Sequence, residues 1–135
     1  MAATVYLDTS FLMLSAKFHI DVLSETARML SSRTEFVVPL AVITELQGLA
    51  RNRGASGRDA RVAMKLIQGG NVKVISSKEI VDADEALIQA SELANTVVAT
   101  ADAELRRKIR AAGKPVVFLR EKAKLELEGI DAAYR

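Results

Sequence analysis

The sequence alternates short runs of apolar, largely β-branched residues with longer segments in which apolar residues recur at helical spacing. The short runs are nearly continuous in apolar character, which is typical of strands buried on both faces of a parallel sheet. Five strands are predicted in this way: Thr4–Leu7, Glu35–Val38, Val72–Ile75, Thr96–Ala99 and Val116–Leu119. The predicted helices are Ser10–Lys17, Ile20–Ser31, Leu40–Asn52, Gly57–Ile67, Ala83–Asn95 and Ala103–Ala111, with Glu121–Glu128 as a weaker candidate. Strands separated by helices predict an α/β fold, a parallel sheet with helices on both faces.

Cysteine and histidine are almost absent, and this limits the chemistry available to the chain. The sequence contains no Cys and a single His, which excludes disulfides, zinc-thiolate sites and thiol nucleophiles. A triad that depends on histidine is also disfavoured. Any reaction must therefore rest on carboxylates, hydroxyls, Lys and Arg.

Length and hydropathy favour one folded domain over residues 1–135. The chain is 50% hydrophobic and shows no internal repeat or linker, and many single domains have this size. No apolar run approaches the roughly 18–20 residues needed to span a membrane, and the first residues do not resemble a signal peptide. We therefore expect a soluble cytoplasmic protein.

Two aspartates stand where predicted strands end. Asp8 directly follows the first strand, and Asp102 comes shortly after the fourth. Each of them could simply cap the following helix. Ligands of parallel α/β sheets, however, bind outside the carboxyl ends of the strands. If the first and fourth strands are neighbours, the two carboxylates converge at the same edge of the sheet, called here the mouth.

Further acids stand in the helices that would flank this mouth. Glu45 lies beside the apolar stripe of its helix, where it can lean toward the mouth or remain an ordinary surface residue. Asp82, Asp84 and Glu85 crowd one helical turn, which suits the helix dipole but also creates repulsion that a bound cation relieves. Carboxylates without histidine suit Mg²⁺ or Mn²⁺, and such an ion can assist hydrolysis of a phosphodiester.

Four segments together resemble the PIN-domain nucleases. They are VYLDTSF, VVPLAVITELQGL, DADEALIQASEL and VVATADAELRRKI, which occur in the family's order and spacing and cover roughly residues 4–119. The later VVFLR resembles the final strand of the archaeal and ribosome-biogenesis branch. The resemblance implies a five-stranded sheet of order 3-2-1-4-5 in a three-layer arrangement.

The resemblance also implies the site residues. The metal-binding and catalytic acids would be Asp8, Glu45, Asp84 and Asp102, with Glu85 as the alternative to Asp84. Thr9, Ser10 and Thr100 would orient these carboxylates without binding the metal directly. Ser10 stands where the family often has Asn.

The implied activity is that of an endoribonuclease that depends on Mg²⁺ or Mn²⁺ and cleaves RNA, preferably single-stranded RNA. Its role would be that of a VapC-type toxin bound by an antitoxin, or that of an RNA-processing nuclease with a ribosomal assembly partner. A homodimer is implied as well. Arginines near the site are candidates to hold RNA phosphates, although such runs are often only solvated helix faces: Arg51, Arg53, Arg106 and Arg107.

A function of a different class is also compatible with the sequence. A non-catalytic RNA-binding or assembly module could retain the acids as relics, and it would then bind no divalent ion. A phosphoryl-transfer receiver or a phosphatase is disfavoured, because either would leave Glu45 and the arginine-rich helix after Asp102 without a role.

Overall fold

The helices and strands alternate along most of the chain. The computed structural model describes residues 2–30, 33–76, 81–121 and 124–129. In chain order the elements are β1 (Ala3–Leu7), α1 (Thr9–Phe18), α2 (Val22–Met29), β2 (Thr34–Pro39), α3 (Leu40–Ala50), α4 (Ala55–Gly69), β3 (Val72–Ile75), α5 (Ala83–Ser91), β4 (Thr96–Ala99), α6 (Ala103–Ala111), β5 (Val116–Glu121) and β6 (Lys124–Glu128).

The strands form one sheet in the order β3-β2-β1-β4-β5-β6. The first five strands of that order run parallel, and β6 pairs antiparallel with β5. In the centre, Val5 of β1 lies between Phe36 of β2 and Val97 of β4. The order 3-2-1-4-5 implied by the resemblance is confirmed, and β1 and β4 are indeed neighbours.

The sheet has six strands, so the prediction of five was one too few, and the candidate helix Glu121–Glu128 was wrong. Lys124–Glu128 forms β6 instead. Leu125 and Leu127 alternate with acidic residues, and both leucines pack against the core on one face of the sheet. The two-residue period therefore decides in favour of a strand, because a helix would separate the leucines.

Helices cover both faces of the sheet. Residues of α1, α2, α3 and α4 form the larger core with one face, to which Val5 and Leu7 of β1 contribute. Tyr6 points to the opposite face and belongs to a smaller core with residues of α5 and α6. Phe11, Leu12 and Leu14 of α1 are buried in the larger core.

Side-chain caps set several helix ends that the periodicity placed only approximately. The α2 helix begins at Val22 because Asp21 caps it, with Oδ1 accepting a hydrogen bond from the Ser24 N–H at 3.1 Å. The α5 helix ends at Ser91 and does not reach Asn95, whose φ of 57° is left-handed. No helix in the described part of the chain combines the length and apolar character needed to cross a bilayer.

Candidate functional site

Asp8 lies at the carboxyl end of β1 and is almost fully buried, with 5% of its surface exposed. Its Oδ1 accepts a hydrogen bond from the Thr9 N–H at 2.8 Å, which caps α1. Its Oδ2 accepts two hydrogen bonds, from the hydroxyls of Ser10 at 2.8 Å and Thr100 at 2.6 Å. Three donors therefore hold this carboxylate in one orientation and compensate its burial.

The turn after β4 is tied to the turn after β1 by the same hydroxyls. The Asp102 N–H donates to Thr100 Oγ1 at 3.0 Å, and the Ala101 N–H donates to Ser10 Oγ at 3.0 Å. Asp102 caps α6, since its Oδ1 accepts from the N–H groups of Glu104 and Leu105. The structure thus brings Asp8 and Asp102 together, with Ser10 and Thr100 between them.

Glu45 lies on α3, and its carboxyl belongs electrostatically to the same site. Partial burial raises its pKa above the usual value, and the negative charge of Asp8 raises it further. A weaker influence in the opposite direction comes from the Thr9 hydroxyl, which favours the charged carboxylate. Asp84 and Asp82 add smaller raising effects. Glu45 therefore lies within electrostatic reach of Asp8, Asp84 and Asp82.

Asp84 enters the site from the first turn of α5. Partial burial raises the pKa of its carboxyl, and the charges of Asp8, Asp102 and Asp82 raise it further. Lys108 of α6 opposes these effects and lowers the pKa. The carboxylates of Asp8, Glu45, Asp84 and Asp102 thus form one coupled group, called here the acid cluster.

Glu85, like Asp84, is an exposed residue of the first turn of α5, and its N–H donates to Asp82 Oδ1 at 2.8 Å. Asp84 is among the charges that raise the pKa of Glu45, and the charges of Asp8 and Asp102 raise the pKa of Asp84. These electrostatic effects favour Asp84 over Glu85 as the member of the acid cluster from α5.

The chemistry of the acid cluster fits a hard divalent cation. All its donors are carboxylate oxygens, and a cation would relieve the repulsion that raises two of their pKa values. The Thr9 hydroxyl is buried and close enough to Glu45 to favour its charged form, but it meets full hydrogen-bond geometry with no atom of the described residues. This polar atom could be satisfied by a ligand or by water bound to an ion.

The acids do not form a ready-made cage. In the described part of the chain, no three acidic or histidine side chains lie close enough together to hold one ion. Mg²⁺ needs no such cage, because it keeps several waters and binds directly to only one or two carboxylates. The arrangement suits an ion that shares its coordination between protein, water and a phosphate.

The candidate RNA-binding arginines fall into two groups. Arg51, Arg53 and Arg107 are exposed. Arg106 is engaged within the protein, because its guanidinium lies 3.4 Å from the centroid of the Phe118 ring and pairs with Glu128 at 3.0 Å. Arg106 therefore holds α6 against the β5–β6 hairpin.

Two charged residues near the acid cluster received no individual role from the sequence. Asp82 caps α5 and acts on both Glu45 and Asp84, and Lys108 acts on Asp84. Crowding of acids at the start of α5 indicated Asp82. For Lys108 the sequence carries no signal, since its influence depends on how α6 lies beside α5.

Comparison with known proteins places these features in a family. Residues 5–122 match the family model described as PIN like domain. The chain is 32% identical over 129 residues to Ribonuclease VapC4 of Methanocaldococcus jannaschii, covering 91% of this chain and 95% of the relative. It is 31% identical over 125 residues to Ribonuclease VapC9 of Archaeoglobus fulgidus, covering 92% and 88%.

Solved structures show the same architecture. The PIN domain endonuclease Utp24 superposes with a TM-score of 0.78 at 22% identity, covering 94% of this chain and 92% of that one. A domain of a functionally unknown protein from Methanocaldococcus jannaschii gives a TM-score of 0.62 at 21% identity, with 96% and 99% covered. The shared fold and the sequence similarity agree, and the chain belongs to the PIN-like domain family.

Proposed function

We propose that this protein is an endoribonuclease that depends on Mg²⁺ or Mn²⁺ and cleaves single-stranded RNA at the acid cluster. The observation that carries the proposal is the linkage of Asp8 and Asp102 through shared hydroxyls, with the charges of Glu45 and Asp84 acting on the same site. The two relatives named as ribonucleases, at 32% and 31% identity, support the same activity.

The acid cluster would hold the cation, with Asp8 as its most firmly oriented member. When bound, the ion supplies charge neutralisation at the phosphodiester and lowers the pKa of water for attack on phosphorus. Thr9, Ser10 and Thr100 keep the carboxylates in place. Without a cation the acids repel a phosphate, so we expect productive RNA binding to require the ion.

The exposed arginines would hold RNA on either side of the acid cluster. Arg51 and Arg53 follow the end of α3, the helix that carries Glu45, and Arg107 lies on α6, the helix that Asp102 caps. Flexible single-stranded RNA can bend so that one phosphate enters the cluster while neighbouring phosphates contact these side chains.

Substitution of Asp8 tests the activity. Asp8→Asn keeps an oxygen that can cap α1 but removes the charge, and we expect RNA cleavage in Mg²⁺ or Mn²⁺ to fall at least about a hundredfold. Asp21→Asn is the control, because Asp21 also caps a helix, α2, with a side-chain oxygen and is not part of the acid cluster. Cleavage by Asp8→Asn at the wild-type rate would refute the proposed site.

Titration calorimetry separates this proposal from a non-catalytic RNA-binding or assembly module of the same fold. A nuclease of the proposed kind binds Mg²⁺ or Mn²⁺, and the Asp8→Asn protein binds it more weakly. A protein that binds RNA but no divalent ion belongs to the non-catalytic class.

Similarity to two proteins with the VapC name favours the role of a toxin held inactive by an antitoxin over that of an RNA-processing nuclease with a ribosomal partner. Expression of the chain alone should then arrest growth, and Asp8→Asn should remove the arrest. Growth unaffected by an active nuclease favours the processing role.

We also propose a homodimer, which sedimentation of the purified protein tests.

A further inference from the structure

A groove of about 720 Å³ lies between α3 and α5 and reaches the acid cluster. We call it the α3–α5 groove. Tyr6 of β1 contributes to its lining, together with the apolar side chains of Leu40, Ala86 and Leu93. Leu40 and Leu93 are 47% and 55% exposed, so much of this apolar surface faces solvent. Exposed apolar surface in a concave site indicates a bound partner or ligand.

The charges of the α3–α5 groove limit what can bind there. Glu45 and Asp82 are its charged members, and the lining residues in the described part of the chain include no Lys or Arg. Among the described residues of the lining, the only charges that a phosphate in the groove would meet are negative. The favoured ligand is therefore an uncharged group with flat apolar faces and hydrogen-bond donors.

A nucleobase has these properties. Its faces can lie against the apolar side chains, and its exocyclic amino and ring N–H groups can donate to carboxylates. Gln89 and Thr44 provide further hydrogen-bonding groups in the lining. Proteins that recognise single-stranded RNA commonly bind splayed bases by such a combination of stacking surfaces and polar contacts to base edges.

The position of the groove joins it to the proposed reaction. Glu45 lines the α3–α5 groove and is also a member of the acid cluster, so a ligand in the groove would lie beside a phosphate held at the cluster. We propose that the α3–α5 groove binds the base of a nucleotide that flanks the scissile phosphate. This inference rests on the proposed ribonuclease function, and it names the part of the substrate that the protein selects.

Cleavage of paired substrates tests the proposal. The first substrate is a single-stranded RNA that the wild-type protein cleaves at one bond. The others are the same RNA with a single abasic nucleotide, placed either before or after that bond. We expect loss of one flanking base to lower kcat/KM about tenfold to a hundredfold. Ala86→Phe fills the groove and should reduce this difference to less than about twofold.

Matched variants separate a loss of recognition from a general defect. Gln89→Ala removes a polar group from the groove and should reduce discrimination among the four bases at the flanking position. Gln47→Ala is the control, because Gln47 is an exposed glutamine of α3 that does not line the groove. Equal effects of the two substitutions, or equal cleavage of intact and abasic RNA by the wild type, would overturn the proposal.

A binding measurement on the wild-type protein makes the result independent of cleavage and of the folding of any variant. Adenosine, guanosine, cytidine and uridine are titrated to millimolar concentration while methyl signals are followed by NMR. We expect the Ala86 methyl to shift and the methyl of Ala27, which lies in a different pocket, to stay in place. No shift with any nucleoside would overturn the groove proposal.

Two further outcomes distinguish the base-binding proposal from its alternatives. A wild-type protein that cleaves no RNA refutes the proposed function, and the nucleoside titration then still decides whether the groove binds bases. If Ala86→Phe converts a dimer into monomers and no nucleoside shifts the Ala86 methyl, a second copy of the chain occupies the groove. That result would overturn the proposal of a base site.

Discussion

At the scale of single residues, the most constrained part of the site is the hydroxyl pair behind Asp8. Thr100 Oγ1 donates to Asp8 Oδ2 and accepts from the Asp102 N–H, so one side chain sets the position of two acids. Ser10 makes the equivalent link between Asp8 and the Ala101 N–H. Because these contacts join residues 92 and 91 positions apart, they fix the relative placement of two turns that share no local sequence.

Replacement of Thr100 by Val removes this link while retaining the shape of the side chain. We expect RNA cleavage and affinity for the divalent ion to fall about 10–100-fold, as for other residues that orient metal ligands. Thr26→Val is a suitable control, since Thr26 is also fully buried but only donates to the Val22 carbonyl within α2. Equal loss of activity in the two variants would mean that Thr100 acts on stability alone.

The raised pKa values of Glu45 and Asp84 predict how stability without metal depends on pH. In the folded protein these carboxyls bind protons more tightly than in the unfolded chain, because of burial and neighbouring acids. Their contribution to the free energy of unfolding is therefore fully present below the unfolded pKa values, which are about 4, and is lost as pH rises through the folded pKa values.

Urea unfolding in EDTA across this pH range measures the effect. Glu45→Gln should flatten the fall in stability on the alkaline side of the unfolded pKa, because the substituted side chain no longer ionises. Glu35→Gln provides a comparison, since Glu35 is a partly exposed glutamate of β2 outside the acid cluster. A steeper fall in Glu45→Gln than in the wild type would contradict the assigned sign.

At the scale of elements, one side of α6 packs against the β5–β6 hairpin and another side is exposed. Arg106 stacks on Phe118, and Glu128 of β6 contacts Arg106 at 3.0 Å and Arg110 at 3.4 Å. These contacts fasten α6 to the β5–β6 hairpin. The adjacent Arg107 is exposed. Neighbouring arginines of one helix therefore have different surroundings, because successive side chains of a helix point in different directions.

Alanine substitution of these two arginines should separate the roles. Arg106→Ala is expected to lower the free energy of unfolding by about 1 kcal/mol, with little change in the salt dependence of RNA binding. Arg107→Ala is expected to leave stability within about 0.5 kcal/mol and to reduce the slope of log Kd against log salt by about 1. Fluorescence titration at several salt concentrations and urea unfolding provide the measurements. The opposite pattern would place Arg106 in the RNA interface.

The elements also show which features a sequence can predict. Asp8 and Asp102 were identifiable because each follows a buried strand, and strand ends are local features of the sequence. The strand Lys124–Glu128 was missed because the two leucines of this charged segment do not indicate which strand the segment pairs with. Only pairing with β5 and packing against the larger core decide its conformation. The contact between Arg106 and Glu128 was equally out of reach of the sequence, since the two residues lie 22 positions apart.

At the scale of the whole molecule, the site is assembled by topology. The neighbouring strands β1 and β4 bring Asp8 and Asp102 together, while Glu45 and Asp84 come from helices α3 and α5. No two of these acids are close in sequence. The favourable packing of both cores offsets the electrostatic repulsion among these acids. The folded state should therefore gain stability from any ion that neutralises the cluster.

This coupling predicts that Mg²⁺ or Mn²⁺ stabilises the fold through the acid cluster. At an ion concentration of 100 times Kd, the free energy of unfolding should rise by about 2.7 kcal/mol, because the ion binds the folded state only. Thermal unfolding with added ion or EDTA, at constant ionic strength, gives the shift in Tm. Asp84→Asn should remove most of the shift. The matched variant Glu85→Gln should preserve it, because Glu85 is not assigned to the acid cluster. If Glu85→Gln abolishes the shift and Asp84→Asn does not, the cation is held by Glu85, and the proposed acid cluster is wrong in its member from α5.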